Sequence, residues 1–118
     1  MTELVACLSS GKGTWGHVSR LMQEGKWEHV LLITNEFGKE NFSTTDKAEF
    51  ILIDSNKGLA DLRNDLVEIL RSKIKGTEVA VNLIAGTGKE HMALMGALLK
   101  LGVGIRLMAL TRQGVEEI

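Results

Sequence analysis

Residues 4–16 read LVACLSSGKGTWG, an apolar run that passes directly into a turn containing three glycines. The apolar residues at 4–8 follow one another without alternation, which is typical of a parallel strand covered on both faces. Beyond the turn, apolar residues from Trp15 to Met22 recur at helical spacing. This stretch therefore predicts a strand, a glycine-rich turn and a helix in succession.

A second stretch repeats the pattern. Residues 79–90 read VAVNLIAGTGKE, and we predict a strand over 79–84 that enters another glycine-rich turn and then a helix. Each turn carries one lysine, Lys12 in the first and Lys89 in the second. Turns with little side-chain bulk let backbone N–H groups approach phosphate, and the following helix adds the positive end of its dipole. The two turns together predict a site for an anionic ligand.

The remaining segments continue the alternation of strands and helices. Strands are predicted over 29–34, 49–53 and 103–110 and an amphipathic helix over 59–74, while residues 35–46 leave room for a short helix at most. This order predicts an α/β fold in a single Rossmann-like domain over residues 1–118. We expect a three-layer sandwich around a mainly parallel sheet of about five strands, in the order 3-2-1-4-5. The first and fourth strands would then be neighbours, and both glycine turns would share one edge of the sheet.

Two helices carry further expectations. Gly25 is predicted to end the first helix in the left-handed conformation. The helix over 92–101 is apolar on nearly all sides, so a single sheet face would leave part of it uncovered. A homodimer, in which a second copy covers this surface, is the favoured explanation. Packing between helices of one chain is the alternative.

Charge and hydropathy narrow the classes of function. A net charge of −1 argues against binding to duplex DNA or RNA, which needs many lysines and arginines on one face. No apolar stretch reaches the length of about 18 residues that suggests a membrane span. Because the N-terminus also lacks a basic cluster, we expect a cytoplasmic protein without a membrane partner.

The residues that commonly bind metals or react with substrates are sparse. A buried thiol is expected at Cys7, which lies inside the first apolar run. The three histidines show no metal-ligand spacing, and a lone cysteine cannot build a thiolate site, so no metal is predicted. His91 has two interpretations, an acid–base group or an uninvolved residue at a helix start. Arg106 is expected to pair with a carboxylate at a sheet edge.

The first turn also matches a dinucleotide-binding pattern. Gly11, Gly13 and Gly16 have the G-x-G-x-x-G spacing, and Glu36 lies 20 residues beyond, where a ribose-binding carboxylate would stand. The bulky residues inside this turn argue against the match. A turn that merely packs helix against strand is a further interpretation.

The second turn lacks the four-residue interval of a P-loop, so nucleotide hydrolysis by that machinery is not expected. Lys89 is a candidate point charge for phosphate, with Thr87 and Asn82 as hydrogen-bonding groups. A solvated lysine in the first turn of a helix is the other interpretation of Lys89, and the sequence leaves both open.

The small polar turn at 8–13 and the segment at 82–92 together resemble the CARF family, the CRISPR-associated Rossmann fold. The second segment is similar to the family's pattern of glycine, threonine and lysine followed by methionine at a helix start. The resemblance spans most of the chain. It implies a homodimer whose paired sheet edges bind cyclic oligoadenylate, and some members of the family also cleave that ring.

The resemblance also implies roles for individual residues. Ser9 and Ser10 would contact ribose or phosphate, Lys89 would hold phosphate, and Thr87 would add a hydrogen bond. Together with the turns, this gives a set of ligand-binding candidates: Ser9, Ser10, Gly11, Gly13, Asn82, Gly86, Thr87, Gly88 and Lys89. The catalytic candidates are Lys89 and Lys12 for charge stabilisation and Ser10 for orientation. Gly88 departs from the family, because it separates a threonine and a lysine that are usually adjacent.

If the ring is cleaved, the resemblance implies a metal-independent attack by the ribose 2′-hydroxyl on the adjacent phosphodiester, with no cofactor. We also expect no effector domain, which fits either a ring-cleaving enzyme or a subunit that only senses the ligand. Two other functions stay open: a regulatory module that binds NAD or another adenine nucleotide, and a structural subunit without catalysis.

Overall fold

In the computed structural model, which describes residues 2–9, 12–44 and 47–118, strands and helices alternate. The strands are β1 (Glu3–Cys7), β2 (His29–Thr34), β3 (Ala48–Leu52), β4 (Glu78–Asn82), β5 (Gly104–Thr111) and β6 (Gly114–Glu117). The helices are α1 (Trp15–Glu24), α2 (Glu36–Asn41), α3 (Leu59–Lys73) and α4 (Gly88–Leu101). A short 3-10 turn, Lys12–Thr14, precedes α1. The α/β class is confirmed, and α2 is the short helix that residues 35–46 allowed.

The strands form one sheet in the order β3-β2-β1-β4-β5-β6. This differs from the predicted order by the sixth strand, which pairs antiparallel with β5, whereas the other neighbours are parallel. The prediction missed β6 because its four residues, GVEE, contain no apolar run. A two-residue turn between Thr111 and Gly114 brings β6 back along β5. Arg106 of β5 forms ion pairs with Glu78 on β4 and with Glu117 on β6. Its expected pairing with a carboxylate is therefore confirmed.

Alternate residues of β1 belong to two separate apolar clusters because successive side chains of a strand point to opposite faces. Val5 and Cys7 pack with residues of α3 and α4, whereas Leu4, Ala6 and Leu8 pack with residues of α1. The side chains of residues 4–8, which are β1 residues and the adjoining Leu8, are all fully buried, as the unbroken apolar run predicts. The expected buried thiol at Cys7 is therefore confirmed.

The predicted left-handed helix end at Gly25 is wrong. Gly25 does terminate α1, but it is extended, with φ −82° and ψ 156°. Its lack of a side chain matters for space, since a Cβ there would overlap the indole of Trp27, which donates a hydrogen bond to the Leu21 carbonyl over 2.8 Å. The left-handed residue belongs to α4, which ends at Gly102 with φ 75°.

The apolar helix α4 is covered unevenly. Ala93, Leu94, Ala97 and Leu98 are buried against the sheet and α3, but Met92 is 64% exposed and Leu99 is 70% exposed. These two side chains are seven residues apart and so lie on one face of the helix.

Among the described residues, no helix combines the length and apolar character that a bilayer crossing requires.

Candidate functional site

The loops that follow β1 and β4 lie side by side at the carboxyl ends of these strands. β1 and β4 are parallel neighbours, with Ala6 opposite Asn82. We call residues 8–14 the β1 loop and residues 83–87 the β4 loop. The Ser9 hydroxyl donates a hydrogen bond to the carboxylate of Glu90, in the first turn of α4. The predicted neighbourhood of the two loops is therefore present, and a side-chain hydrogen bond joins Ser9 of the β1 loop to the first turn of α4.

Glu90 is buried, with 1% of its surface exposed. Its Oε1 atom also accepts the backbone N–H of Thr87 over 2.9 Å, and its Oε2 atom accepts the Ser55 hydroxyl over 3.3 Å. The Thr87 hydroxyl accepts the Glu90 backbone N–H in return, which completes a capping box at the start of α4. Because Ser55 follows β3, this carboxylate connects three loops at the carboxyl edge of the sheet.

The buried charge of Glu90 affects a neighbouring thiol. Burial, together with the negative charge of Glu90, raises the pKa of Cys7 from its ordinary value of 9.0 to about 12. The thiol therefore stays protonated at physiological pH. This thiol acts as a small apolar side chain of the core.

At Gly86 the β4 loop lies close to the end of β1. This glycine has φ 94°, and a Cβ at its position would lie 2.8 Å from Cβ of Cys7. Any side chain at residue 86 would meet both a disfavoured conformation and a steric overlap. Its requirement for glycine is thus explained by local packing without reference to a ligand.

Asn82 lies at the end of β4 but uses its amide within the protein. The amide nitrogen donates to the Met108 carbonyl over 2.9 Å and lies 3.2 Å from His17 Nε2, while Oδ1 accepts the Ile84 N–H over 3.2 Å. His17 Nε2 also accepts the Leu110 N–H over 3.3 Å. The predicted role of Asn82 in ligand binding stays a prediction, and these bonds give it a structural role.

Lys89 is exposed, and its ammonium group reaches the loop after β3. Its Nζ atom donates to the carbonyl oxygens of Ser55, over 2.6 Å, and Lys57, over 2.8 Å. An ammonium group has three donors, so one remains for a ligand. Lys89 is therefore neither a purely solvated side chain nor a fully available phosphate ligand.

Lys12 is exposed and begins the 3-10 turn that includes Gly13. Its Nζ atom lies 6.0 Å from the ring centroid of Phe37, at the start of α2. Lys12 thus lies in the β1 loop and Lys89 in the first turn of α4. Each has a different neighbour, and no described contact joins them. The predicted candidates Ser10 and Gly11 lie outside the described residues.

The amino end of α4 is open. Thr87 and Gly88 are exposed, and among the described residues the backbone N–H groups of Gly88 and Lys89 have no protein acceptor. Such N–H groups at a helix start, together with the helix dipole, are suited to an anion. This feature of the site agrees with the anionic ligand that the glycine turns predicted.

A cavity at this edge lies beyond these loops, at the ends of β2 and β3. It has a volume of about 790 Å³, and Glu36 and Phe37 line one side. The charged residues in its lining are mostly acidic: Glu36, Asp54, Asp65 and Glu68, with Lys57 the basic one. Lys57 is itself paired with Asp65 over 2.7 Å. The cavity therefore lacks the positive charge expected of a phosphate pocket.

The sequence interpretation missed Glu90 and Ser55. The spacing of Thr87 and Glu90 matches a capping box, a signal that was available in the sequence. Ser55 carried no such signal because its contact with Glu90 spans 35 positions. His91, which had two interpretations, places Nε2 2.7 Å from the Ala85 carbonyl oxygen and so fastens the β4 loop to α4.

A scan against protein-family models finds no match, and a search of curated proteins finds no significantly similar sequence.

Within the described residues, no group of three or more His, Cys, Asp or Glu side chains is arranged to hold a metal ion.

Proposed function

We propose that this chain binds a phosphate-bearing adenine nucleotide where the β1 and β4 loops meet, and that the ligand is cyclic oligoadenylate held between two copies of the chain. In this proposal the domain is a three-layer Rossmann-like sandwich of the CARF type. The ligand's phosphate would bind at the open amino end of α4.

The open end of α4 carries the proposal. The N–H groups of Gly88 and Lys89 have no acceptor among the described residues, and both belong to exposed residues. Lys89 retains one donor of its ammonium group, and Lys12 is exposed on the neighbouring loop. Backbone dipoles and one cation at this helix start, with a second cation on the loop after the neighbouring strand, favour a ligand with few phosphates over a long nucleic acid.

The exposed face of α4 supports the dimer. Met92 and Leu99 are exposed on this helix, and Ile84 in the β4 loop is 49% exposed. Exposed large apolar side chains on one helix face are typical of an interaction site. A second copy of the chain at this face would bring two ligand-binding loops toward each other.

Thermal unfolding with a panel of ligands tests the proposal. A ligand at about 100 times its dissociation constant adds roughly 2.7 kcal/mol to the free energy of unfolding. We expect cyclic tri-, tetra- or hexa-adenylate to raise Tm, and linear tetra-adenylate to do so less. If no adenylate stabilises the chain, the proposal is wrong and a structural subunit becomes the better explanation.

Lys12→Ala locates the site. This substitution should weaken binding of the stabilising ring about tenfold, because charge-assisted hydrogen bonds contribute about 1.5–3 kcal/mol. Lys75→Ala is the matched control, since Lys75 is an exposed lysine that follows α3, remote from the joined loops. Equal affinities for the two variants, measured by isothermal titration calorimetry, would contradict the assignment.

Cleavage is a separate question from binding. Incubating the chain with radiolabelled ring and analysing the products distinguishes a ring-cleaving enzyme from a sensor. If cleavage occurs, Lys89→Ala should abolish it, because Lys89 is the candidate for stabilising charge on the phosphate. Unchanged cleavage by that variant would remove Lys89 from the mechanism.

One observation favours a second candidate, binding of NAD or another adenine dinucleotide. Glu36 follows β2 and lines the cavity of about 790 Å³, the position expected for a carboxylate that binds ribose. NAD therefore belongs in the thermal panel. Stabilisation by NAD that Glu36→Ala removes would favour this candidate over cyclic oligoadenylate.

A further inference from the structure

The outer strand β3, Ala48–Leu52, lies wholly within the described residues and lacks the features that usually keep a sheet edge from pairing with a further strand. Proline, bulges and unpaired charges are common protections of an edge. The sequence AEFIL is apolar at four of five positions, the chain contains no proline, and the register with β2 is unbroken. The one charge in β3, on Glu49, is paired with Lys73 of α3. The edge is therefore open to a further strand.

The backbone of β3 has hydrogen-bonding groups on its outer side. The Lys47 carbonyl accepts an N–H of β2 over 3.0 Å, and the Ile53 N–H donates to a carbonyl of β2 over 2.9 Å. Because residues of a strand alternate in direction, the N–H and C=O groups of Ala48, Phe50 and Leu52 point away from β2. No described strand lies on that side, and no described loop bonds to these groups.

The carboxyl end of β3 borders the cavity of about 790 Å³. Leu52, which is 41% exposed, and Phe37, which is 50% exposed, both belong to its lining. Four carboxylates and one ammonium group also line it, and that ammonium group, of Lys57, is paired with Asp65. A strand added to β3 would therefore end beside an apolar surface surrounded by negative charge.

The charges favour a segment with basic residues over a second copy of this chain. Antiparallel strands pair slightly more stably than parallel ones, so the amino-terminal end of an added strand would lie beside the cavity. In a second copy, the residue before β3 is Lys47, an exposed lysine that would stand alone against four carboxylates. A segment with consecutive basic residues complements these charges better.

We propose that the β3 edge docks an extended segment of a partner protein, basic at its amino-terminal end and apolar or β-branched beyond it. The segment would pair antiparallel with β3 through main-chain hydrogen bonds. Basic side chains suit the cavity because their aliphatic stems can cover Leu52 and Phe37 while their charged ends reach the carboxylates. This inference goes beyond nucleotide binding and does not depend on it.

Fluorescence polarisation with a synthetic peptide tests the docking site on the full chain. The probe is a labelled, acetylated peptide that begins with two arginines and continues with alternating threonine and valine. The control peptide has glutamates in place of the arginines and keeps the same strand-forming part. We expect the arginine peptide to bind about tenfold more tightly, because the control replaces charge-assisted contacts by repulsion.

Leu52→Pro tests pairing through the backbone. Proline removes the outward N–H of residue 52 and leaves the hydrogen bonds between β3 and β2 in place. Leu52→Ala is the matched control, because it removes the same side chain and keeps the N–H. The proline variant should bind the arginine peptide about tenfold more weakly than the alanine variant does.

Glu68→Gln tests the charge of the cavity. Glu68 is an exposed α3 residue in the cavity lining, and its substitution should weaken binding of the arginine peptide about threefold, as for one exposed ion pair. Glu28→Gln is the matched control, because Glu28 is exposed and precedes β2, at the opposite, amino end of the sheet. This control should bind the peptide as tightly as wild-type protein does.

The inference is overturned if the arginine peptide does not bind, or if the glutamate peptide binds as tightly. It is also overturned if a folded Leu52→Pro variant binds like Leu52→Ala. If Leu52→Pro does not fold, equal affinities of Glu68→Gln and Glu28→Gln overturn it instead. If Leu52→Pro, and not Leu52→Ala, lowers the mass of the chain in sedimentation equilibrium without peptide, a second copy occupies the edge and the partner segment is wrong.

Discussion

Gly86 carries a conformational and a steric requirement at once. Its φ is 94°, and an added Cβ would lie 2.8 Å from Cβ of Cys7 and 3.2 Å from Nε2 of His91. Gly102 has a similar conformation, with φ 75°, but nothing lies within 4 Å of an added Cβ. The two glycines therefore separate the effect of backbone strain from that of crowding.

Gly86→Ala should lower the free energy of unfolding by about 2–4 kcal/mol, the sum of left-handed strain and overpacking. Gly102→Ala should lower it by about 1 kcal/mol, from strain alone. Urea denaturation of both variants measures the difference. Equal losses would show that the β4 loop relaxes away from Cys7 without cost.

Cys7 makes stability fall at alkaline pH. Its pKa is raised to about 12 in the folded protein, so the folded state holds the proton more tightly than the unfolded state does. Its contribution is complete below pH 9 and is lost between pH 9 and about 12, at about 1.4 kcal/mol per pH unit. Urea denaturation across this range should show the loss in wild-type protein, and Cys7→Ala should flatten it. An unchanged slope in the variant would mean that other groups cause the alkaline loss.

At individual residues the sequence predicted burial better than hydrogen bonding. The apolar run at 4–8 correctly placed Cys7 in the core, because burial follows from the pattern of neighbours. The contact between Ser9 and Glu90 was not predictable, since it joins residues 81 positions apart through the fold. Gly25 shows a third case, in which the residue type was explained by the packing of Trp27 rather than by its own φ.

Helix α4 begins with a reciprocal pair of hydrogen bonds between Thr87 and Glu90. Thr87→Ala should reduce the free energy of unfolding by about 1 kcal/mol, because the Glu90 N–H loses its acceptor at the helix cap. Thr87→Ser keeps the hydroxyl and should stay within a few tenths of a kcal/mol of wild type. Thermal unfolding of both variants without ligand is the measurement. A loss in the serine variant as large as in the alanine variant would point to the methyl group instead of the cap.

Among the elements, periodicity located the five strands β1–β5 and the three longer helices. Their ends differ from the prediction by a residue or two, except that α4 begins at Gly88, four residues before the predicted start. The predicted strand over 79–84 ends at Asn82 in the structure, because the Asn82 side chain accepts the Ile84 N–H and turns the chain. Strand β6 was missed because its pairing depends on a two-residue turn and on Arg106, and not on its own hydropathy. Local pattern is thus sufficient for buried elements and insufficient for an exposed edge.

For the molecule as a whole, the exposed face of α4 predicts self-association. Leu99→Lys should convert a dimer into a monomer in sedimentation equilibrium, since it places a charge in the proposed apolar interface. Leu59→Lys is the matched control, because Leu59 is a leucine that is 40% exposed on a different helix, α3. The proposed dimer interface would be contradicted if the wild-type protein is a monomer, or if both substitutions lower the molecular mass to the same extent.

The order of the first five strands could be predicted for the whole molecule because right-handed crossovers leave few arrangements of a β-α-β chain. The charge distribution at the carboxyl edge of the sheet could not be predicted from the sequence. Lys89 turns toward carbonyl oxygens of the loop after β3, and acidic side chains collect around the cavity at β2 and β3. The direction of a lysine side chain depends on which acceptors lie near it in the folded protein, and the sequence alone does not show where those acceptors lie.

Strand β6 has a consequence for how copies of the chain meet. It is four residues long, and it ends the sheet with Glu116 and Glu117, both exposed, on its outermost strand. A short, acidic outer strand repels an identical strand and offers few backbone groups for pairing. Continuous growth of the sheet from molecule to molecule is therefore disfavoured on this side.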